Sequence, residues 1–145
     1  MLKQTCRTGV NQKIYSLKEN GKIYKCFNEA KLDSESYQVD GCIFVQETSC
    51  DFLLVDNHNK RLFFIECKGI DVNKAYLQIE ETIKKMKSIT IGFEVNARVV
   101  CSNNRVHTLN GTGYKALLKS LTSINGSYKQ SYIITKSSLL EERIS

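Results

Sequence analysis

Proline is absent from the 145 residues and histidine occurs only twice. Without proline, chain reversals fall to clusters of Gly, Asn, Asp and Ser, and these mark the breaks between elements. No stretch approaches the ~20 apolar residues of a membrane span. The opening segment Met1-Leu2-Lys3-Gln4-Thr5-Cys6 has no apolar run of the kind that makes a secretory signal. These absences lead to the expectation of a soluble, cytoplasmic protein with no membrane partner. The six cysteines, Cys6, Cys26, Cys42, Cys50, Cys67 and Cys101, contain no C-x-x-C pair. Neither His58 nor His107 is spaced to complete a zinc set. Reduced, buried thiols that behave as small apolar residues are therefore expected, with no cysteine in a disulfide. There is no low-complexity segment and no internal repeat, so the chain reads as one domain over residues 1–145.

What is present is ordinary in kind: hydrophobic residues make up 41% and charged residues 25%, enough to bury one normal core. The balance of charge is more informative. Lys and Arg number 21 against 15 Asp and Glu, a formal net charge of +6. That suits a polyanionic partner, because each phosphate neutralised by a basic side chain releases counterions.

Along the chain, Lys13–Leu17 and Lys22–Cys26 flank Glu19-Asn20-Gly21, and Asn-Gly favours a tight hairpin turn. A helix at the start of this segment is the alternative. Residues 39–46 read as a strand closed by Glu47-Thr48-Ser49, Asp51–Val55 as a second strand, and Leu62–Lys68 as a third across the polar loop 57–60. Gly69 ends that strand, and Asp71 is placed to cap a helix. In that helix Val72, Ala75, Tyr76, Ile79, Ile83 and Met86 recur at helical spacing, and Glu80–Lys84 and Glu81–Lys85 are i,i+4 pairs. Val95–Cys101 is a fourth strand, Thr112–Ser123 a second helix, Tyr132–Thr135 a short strand and Leu139-Leu140 a terminal helical turn. The class is α/β: a mixed central sheet in which an antiparallel hairpin feeds a βαβ crossover.

The segment from Cys50 to Gln78 carries the chemistry. If Asp56 faces Arg61 across the loop, stepping back along both strands sets Asp51 directly opposite Glu66. Such partners have Cβ atoms roughly 4.5–5.5 Å apart and leave the same face of the sheet. Two carboxylates that close repel unless a cation lies between them, and Mg²⁺ is suited to one or two carboxylates plus phosphate oxygens. Alternation puts Lys68 on the same face as Glu66, with Leu62 and Phe64, and turns Phe63, Ile65 and Cys67 to the other. A strand apolar on both sides that ends abruptly in Glu-Cys-Lys-Gly lies where open α/β sheets place their ligands.

Cys50-Asp51-Phe52-Leu53-Leu54, followed by Phe64-Ile65-Glu66-Cys67-Lys68-Gly69, resembles the PD-(D/E)XK nuclease superfamily over residues 38–101. Cys50 stands where the family has proline. The resemblance implies a restriction-endonuclease-like core and hydrolysis of phosphodiester bonds in DNA or RNA. It further implies that Asp51 and Glu66 bind Mg²⁺ or Mn²⁺, that Lys68 helps activate water and stabilise developing charge, and that Gln78 positions water or a phosphate. The upstream acid of many members has no clear counterpart. Glu29 sits in a segment that is not clearly helical, and the strand reading puts Asp40 at the far end of its hairpin, so the role stays unassigned. His58 and His107 read as exposed or structural, and Gly111-Thr112-Gly113 as a turn and cap.

Two classes of function follow. One is a metal-dependent endonuclease. The other is a non-catalytic module that keeps the nuclease scaffold to bind nucleic acid or a protein partner, as an accessory or immunity factor would. A homodimer is compatible with both.

Overall fold

The computed structural model describes residues 2–102 and 111–145; His107 lies outside them. In chain order the elements are β1 (Arg7–Val10), β2 (Ile14–Glu19), β3 (Lys22–Phe27), β4 (Ser34–Gln38), β5 (Phe52–Asp56), β6 (Arg61–Cys67), α1 (Val72–Lys85), β7 (Glu94–Cys101), α2 (Thr112–Asn125), β8 (Ile133–Ser137) and β9 (Leu139–Arg143). A six-stranded mixed sheet runs β1-β4-β5-β6-β7-β8, and a smaller sheet runs β2-β3-β9. β1, β4, β5 and β6 pair antiparallel, whereas β6, β7 and β8 are parallel. α1 and α2 make the two crossovers that parallel pairing requires.

The central strands are buried on both faces, which explains why they read as continuous apolar runs. On one face Leu53, Val55, Leu62, Phe64, Ala97 and Val99 pack with Ala75, Tyr76 and Ile79 of α1 and with Leu117 and Leu121 of α2. On the other, Leu54, Phe63, Ile65, Cys67 and Val100 meet Tyr15, Leu17, Tyr24, Cys26 and Leu140 of the small sheet. The result is a layer of helices, the large sheet and then the small sheet. α1 begins as its sequence indicates: the Asp71 side chain accepts from the Lys74 amide at 3.0 Å. The start of α2 is held by α1, because the Gly113 amide donates to Asn73 Oδ1 at 2.7 Å. A Cβ at Gly113 would stand 2.6 Å from Asn73 atoms, so only glycine allows this approach.

A buried polar network fastens the small sheet to the large one. Arg98 Nε donates to Glu142 Oε2 at 2.8 Å, and Tyr24 Oη donates to the same oxygen at 2.5 Å. The Arg98 guanidinium also donates to the carbonyls of Ala97, Ser131 and Tyr132.

The structure corrects four expectations. Residues 39–46 are not a strand: β4 lies earlier, at Ser34–Gln38, and Gly41 and Gln46 take positive φ in the turn that follows. The true strand buries Ser34 and Ser36, whose hydroxyls are satisfied by Tyr15, Asn28 and Thr8. A pattern of apolar residues cannot register such a strand. Leu139-Leu140 begins β9, parallel to β3, rather than a helical turn. Lys85 turns from Glu81 to Glu47 at 3.3 Å and to the Thr48 carbonyl. Finally, Cys6 and Cys42 form a disulfide, with Cα atoms 5.7 Å apart and a sequence separation of 36. Local spacing cannot reveal a pair brought together by folding. The other four cysteines are buried and in no disulfide, as expected.

Candidate active site

Strand register brings Asp51 and Glu66 together. β5 and β6 pair Phe52 with Ile65 through to Asp56 with Arg61, the register read from the sequence. Asp51 lies just before β5, outside the paired residues: its amide donates to the Ile65 carbonyl and to Glu66 Oε1, both at 3.1 Å. In return the Cys67 amide donates to Asp51 Oδ2 at 2.8 Å. Each carboxylate therefore has one oxygen fixed by the main chain. No hydrogen bond among the described residues reaches Asp51 Oδ1 or Glu66 Oε2.

The electrostatics are those of a site short of positive charge. Glu66 is only 3% exposed, and burial, then the neighbouring Asp51, hold its carboxyl well above the usual carboxylate range. Burial also raises Asp51, the Cys67 amide opposes this, and Glu19 and Asp40 add to the rise. The Lys68 ammonium favours the ionised form of both. Among the described residues no ion pair engages Asp51, Glu66 or Lys68. Burial likewise pushes the Cys67 thiol up to about 12 and raises Cys50. Both stay protonated at neutral pH and are poor nucleophiles or metal ligands.

Two acids near the pair escape a local reading of the sequence. β4 ends at Gln38 opposite Phe52, and the Val39 amide donates to the Asp51 carbonyl at 2.9 Å. That sets Asp40 beside the carboxylates rather than at the far end of a hairpin. Glu19 arrives from the small sheet. It is exposed at the end of β2, in alternation with the buried Tyr15 and Leu17, and its charge reaches both Asp51 and Cys67. The alternation Tyr15-Leu17-Glu19 was visible in the sequence; what it faces was not. Glu29 is engaged elsewhere, paired with Arg143 at 2.9 Å.

Gln78 is not brought to the carboxylates by any hydrogen bond. Its Nε2 donates to the Ser49 carbonyl at 3.4 Å, while its Oε1 and the Ser49 hydroxyl are buried without hydrogen-bond partners among the described residues. With Lys74, Leu77 and Lys85 it lines a cavity of about 480 Å³ whose lining does not include Asp51, Glu66 or Lys68. The same helix braces the strand start, since Thr82 Oγ1 accepts from the Cys50 amide at 2.8 Å. His58 is exposed in the 57–60 turn.

Among the described residues no three His, Cys, Asp or Glu side chains converge closely enough to form a metal site from protein alone. The available donor set is two hard carboxylate oxygens. It suits an ion that keeps most of its waters, as Mg²⁺ does, and not a closed zinc site. No helix among the described residues is long and apolar enough to cross a membrane. No protein-family model, curated protein or solved structure matches the chain.

Proposed function

We propose that the protein is a metal-dependent nuclease of the PD-(D/E)XK kind, with a restriction-endonuclease-like core, hydrolysing phosphodiester bonds of DNA or RNA. One observation carries the reading. Asp51, just before β5, and Glu66, in β6, are each held by the other's main chain with one oxygen apiece uncommitted among the described residues, and Lys68 follows directly after β6. Asp51 and Glu66 would hold Mg²⁺ or Mn²⁺, which polarises the phosphate and lowers the pKa of a bound water. Lys68 supplies a positive charge beside the reacting phosphate, and Asp40 and Glu19 deepen the negative field that recruits the cation. Gln78 acts here through Ser49, as a brace of the segment entering Asp51, rather than on the substrate.

One observation favours a second reading. The absence, among the described residues, of a third converging ligand is what a scaffold retained for binding alone would show.

Cleavage separates the two. Purified protein with Mg²⁺ or Mn²⁺ should cut DNA or RNA, and a chelator should stop it. Glu66→Gln and Lys68→Ala should each lower the rate by roughly 10²–10³ while leaving the circular-dichroism spectrum unchanged. Folded, metal-supplemented protein that cuts no single- or double-stranded DNA or RNA would defeat the nuclease reading.

A further inference from the structure

We propose that the outer face of the β2-β3-β9 sheet is a docking platform for single-stranded nucleic acid. The proposal rests on the nuclease reading only for where the bound strand leads, and its binding test stands apart from cleavage.

The face is defined by register. Ile14 pairs with Phe27 and Phe27 with Arg143; Ser16 pairs with Lys25 and Lys25 with Glu141; Lys18 pairs with Ile23 and Ile23 with Leu139. Strand alternation turns these residues outward, because their neighbours Tyr15, Leu17, Tyr24, Cys26 and Leu140 are buried against the large sheet. The edge strands are open, with Ile14 48% and Leu139 42% exposed, while Ile23, Lys25 and Phe27 of the central strand are half-buried. Three strands span about 10 Å across, and Ile14 to Lys18 spans about 13 Å along the strand. That is room for a short run of unpaired nucleotides.

The chemistry of the face selects its occupant. Three cations, Lys18, Lys25 and Arg143, stand against one acid, Glu141, and neither Lys18 nor Lys25 has an ion pair among the described residues. Arg143 lies 5.7 Å from the centre of the Phe27 ring and pairs with Glu29 at the surface, an exposed contact that yields readily to a phosphate. Between the cations lie Ile14, Ile23, Phe27 and Leu139. A duplex presents phosphates and has no use for these apolar side chains. An unpaired strand offers both a charged backbone and base faces that stack on an aromatic ring. The platform also leads somewhere. Lys18 on the outer face is followed by Glu19, exposed at the strand end, whose charge reaches Asp51.

Fluorescence anisotropy of a short fluorescein-labelled oligonucleotide, in chelator so that nothing is cut, tests the proposal. Single-stranded probe should bind more tightly than its duplex and weaken steeply with salt. The double substitution Lys18→Glu, Lys25→Glu should weaken binding about tenfold or more. Phe27→Ala should weaken it about tenfold; Phe27→Leu, which keeps the side chain's bulk, should fold and still lose most of that factor. Lys84→Glu with Lys119→Glu, on the groove between the helices, should change nothing. Binding with this pattern but no cleavage on adding metal would sink the nuclease reading and leave the platform standing. Cleavage by a protein whose binding ignores Lys18, Lys25 and Phe27, equal affinity for duplex, or loss of binding only in the helix-groove variant would each overturn the platform. So would a failure to bind either probe at low salt.

Discussion

The amide of Asp51 donates to Glu66 Oε1 while the amide after Glu66, that of Cys67, donates to Asp51 Oδ2, so each acid is clamped by the other's strand. The main chain thus enforces a proximity that the charges oppose. Burial is what makes that opposition measurable.

Stability should fall with pH when metal is withheld. Unfolded Asp and Glu titrate near ~4, whereas burial raises Asp51 to about 6 and Glu66 to about 8. The folded state therefore binds more protons, and its stability, fully present below pH ~4, is lost as pH rises toward about 8. Thermal melts in chelator should show this decline, Mg²⁺ should reverse it at neutral pH and above, and Glu66→Gln should flatten it. Superimposable pH profiles for wild type and Glu66→Gln would show that the pair carries no such strain.

Removing the flanking acids should ease both carboxylates. Asp40→Asn should lower the pH at which Asp51 and Glu66 titrate, and Glu19→Gln should do so for Asp51, as read by NMR of the carboxyl carbons. Each should also weaken Mg²⁺ or Mn²⁺ binding roughly tenfold, as groups behind a metal's ligands commonly do. Unchanged titration in both variants would place these side chains too far from the pair to matter.

The Cys6–Cys42 disulfide closes a separation of 36 residues, for which loop entropy gives about 3–4 kcal/mol. Cys6→Ser with Cys42→Ser, compared with wild type by denaturant melts, should show a loss of that order. Thiol counting on protein isolated with alkylating agent should find four free cysteines rather than six.

Arg98 is a structural cation. It is 4% exposed and bound to Glu142. Arg98→Met leaves the half-buried Glu142 without its ion partner; the cost is about 3–5 kcal/mol when the orphaned charge is fully buried, and less here. Replacing both, Arg98→Met with Glu142→Leu, should recover much of the loss. Failure of the double variant to recover would mean that the Ser131 and Tyr132 carbonyls need the guanidinium as much as Glu142 does.

Much of the fold was legible because the signals were local. Asn20-Gly21 marked its hairpin and adopts the positive φ values such a turn needs. The apolar spacing from Val72 gave α1, and the 57–60 loop fixed the β5–β6 register from Asp56 opposite Arg61 as far as Phe52 opposite Ile65, next to Asp51 and Glu66. Where the reading failed, the deciding contact was distant or polar. β4 hides behind buried serines satisfied by hydroxyl partners. β9 exists because β3 is there to receive it. Misplacing β4 in turn misplaced Asp40, and Glu19 faces a site built by another layer. The pair was readable and its surroundings were not.

The layering makes the surroundings of the pair depend on a distant strand. Asp51 and Glu66 lie at the large sheet, but Glu19 is carried by the small one, whose strand β9 is fastened by the contact between Tyr24 and Glu142, 118 residues apart. Such long-range pairing forms late, because its loop must close before the contact is gained. A folding intermediate in which β9 has not yet paired would therefore hold Asp51 and Glu66 beside a small sheet reduced to the β2-β3 hairpin.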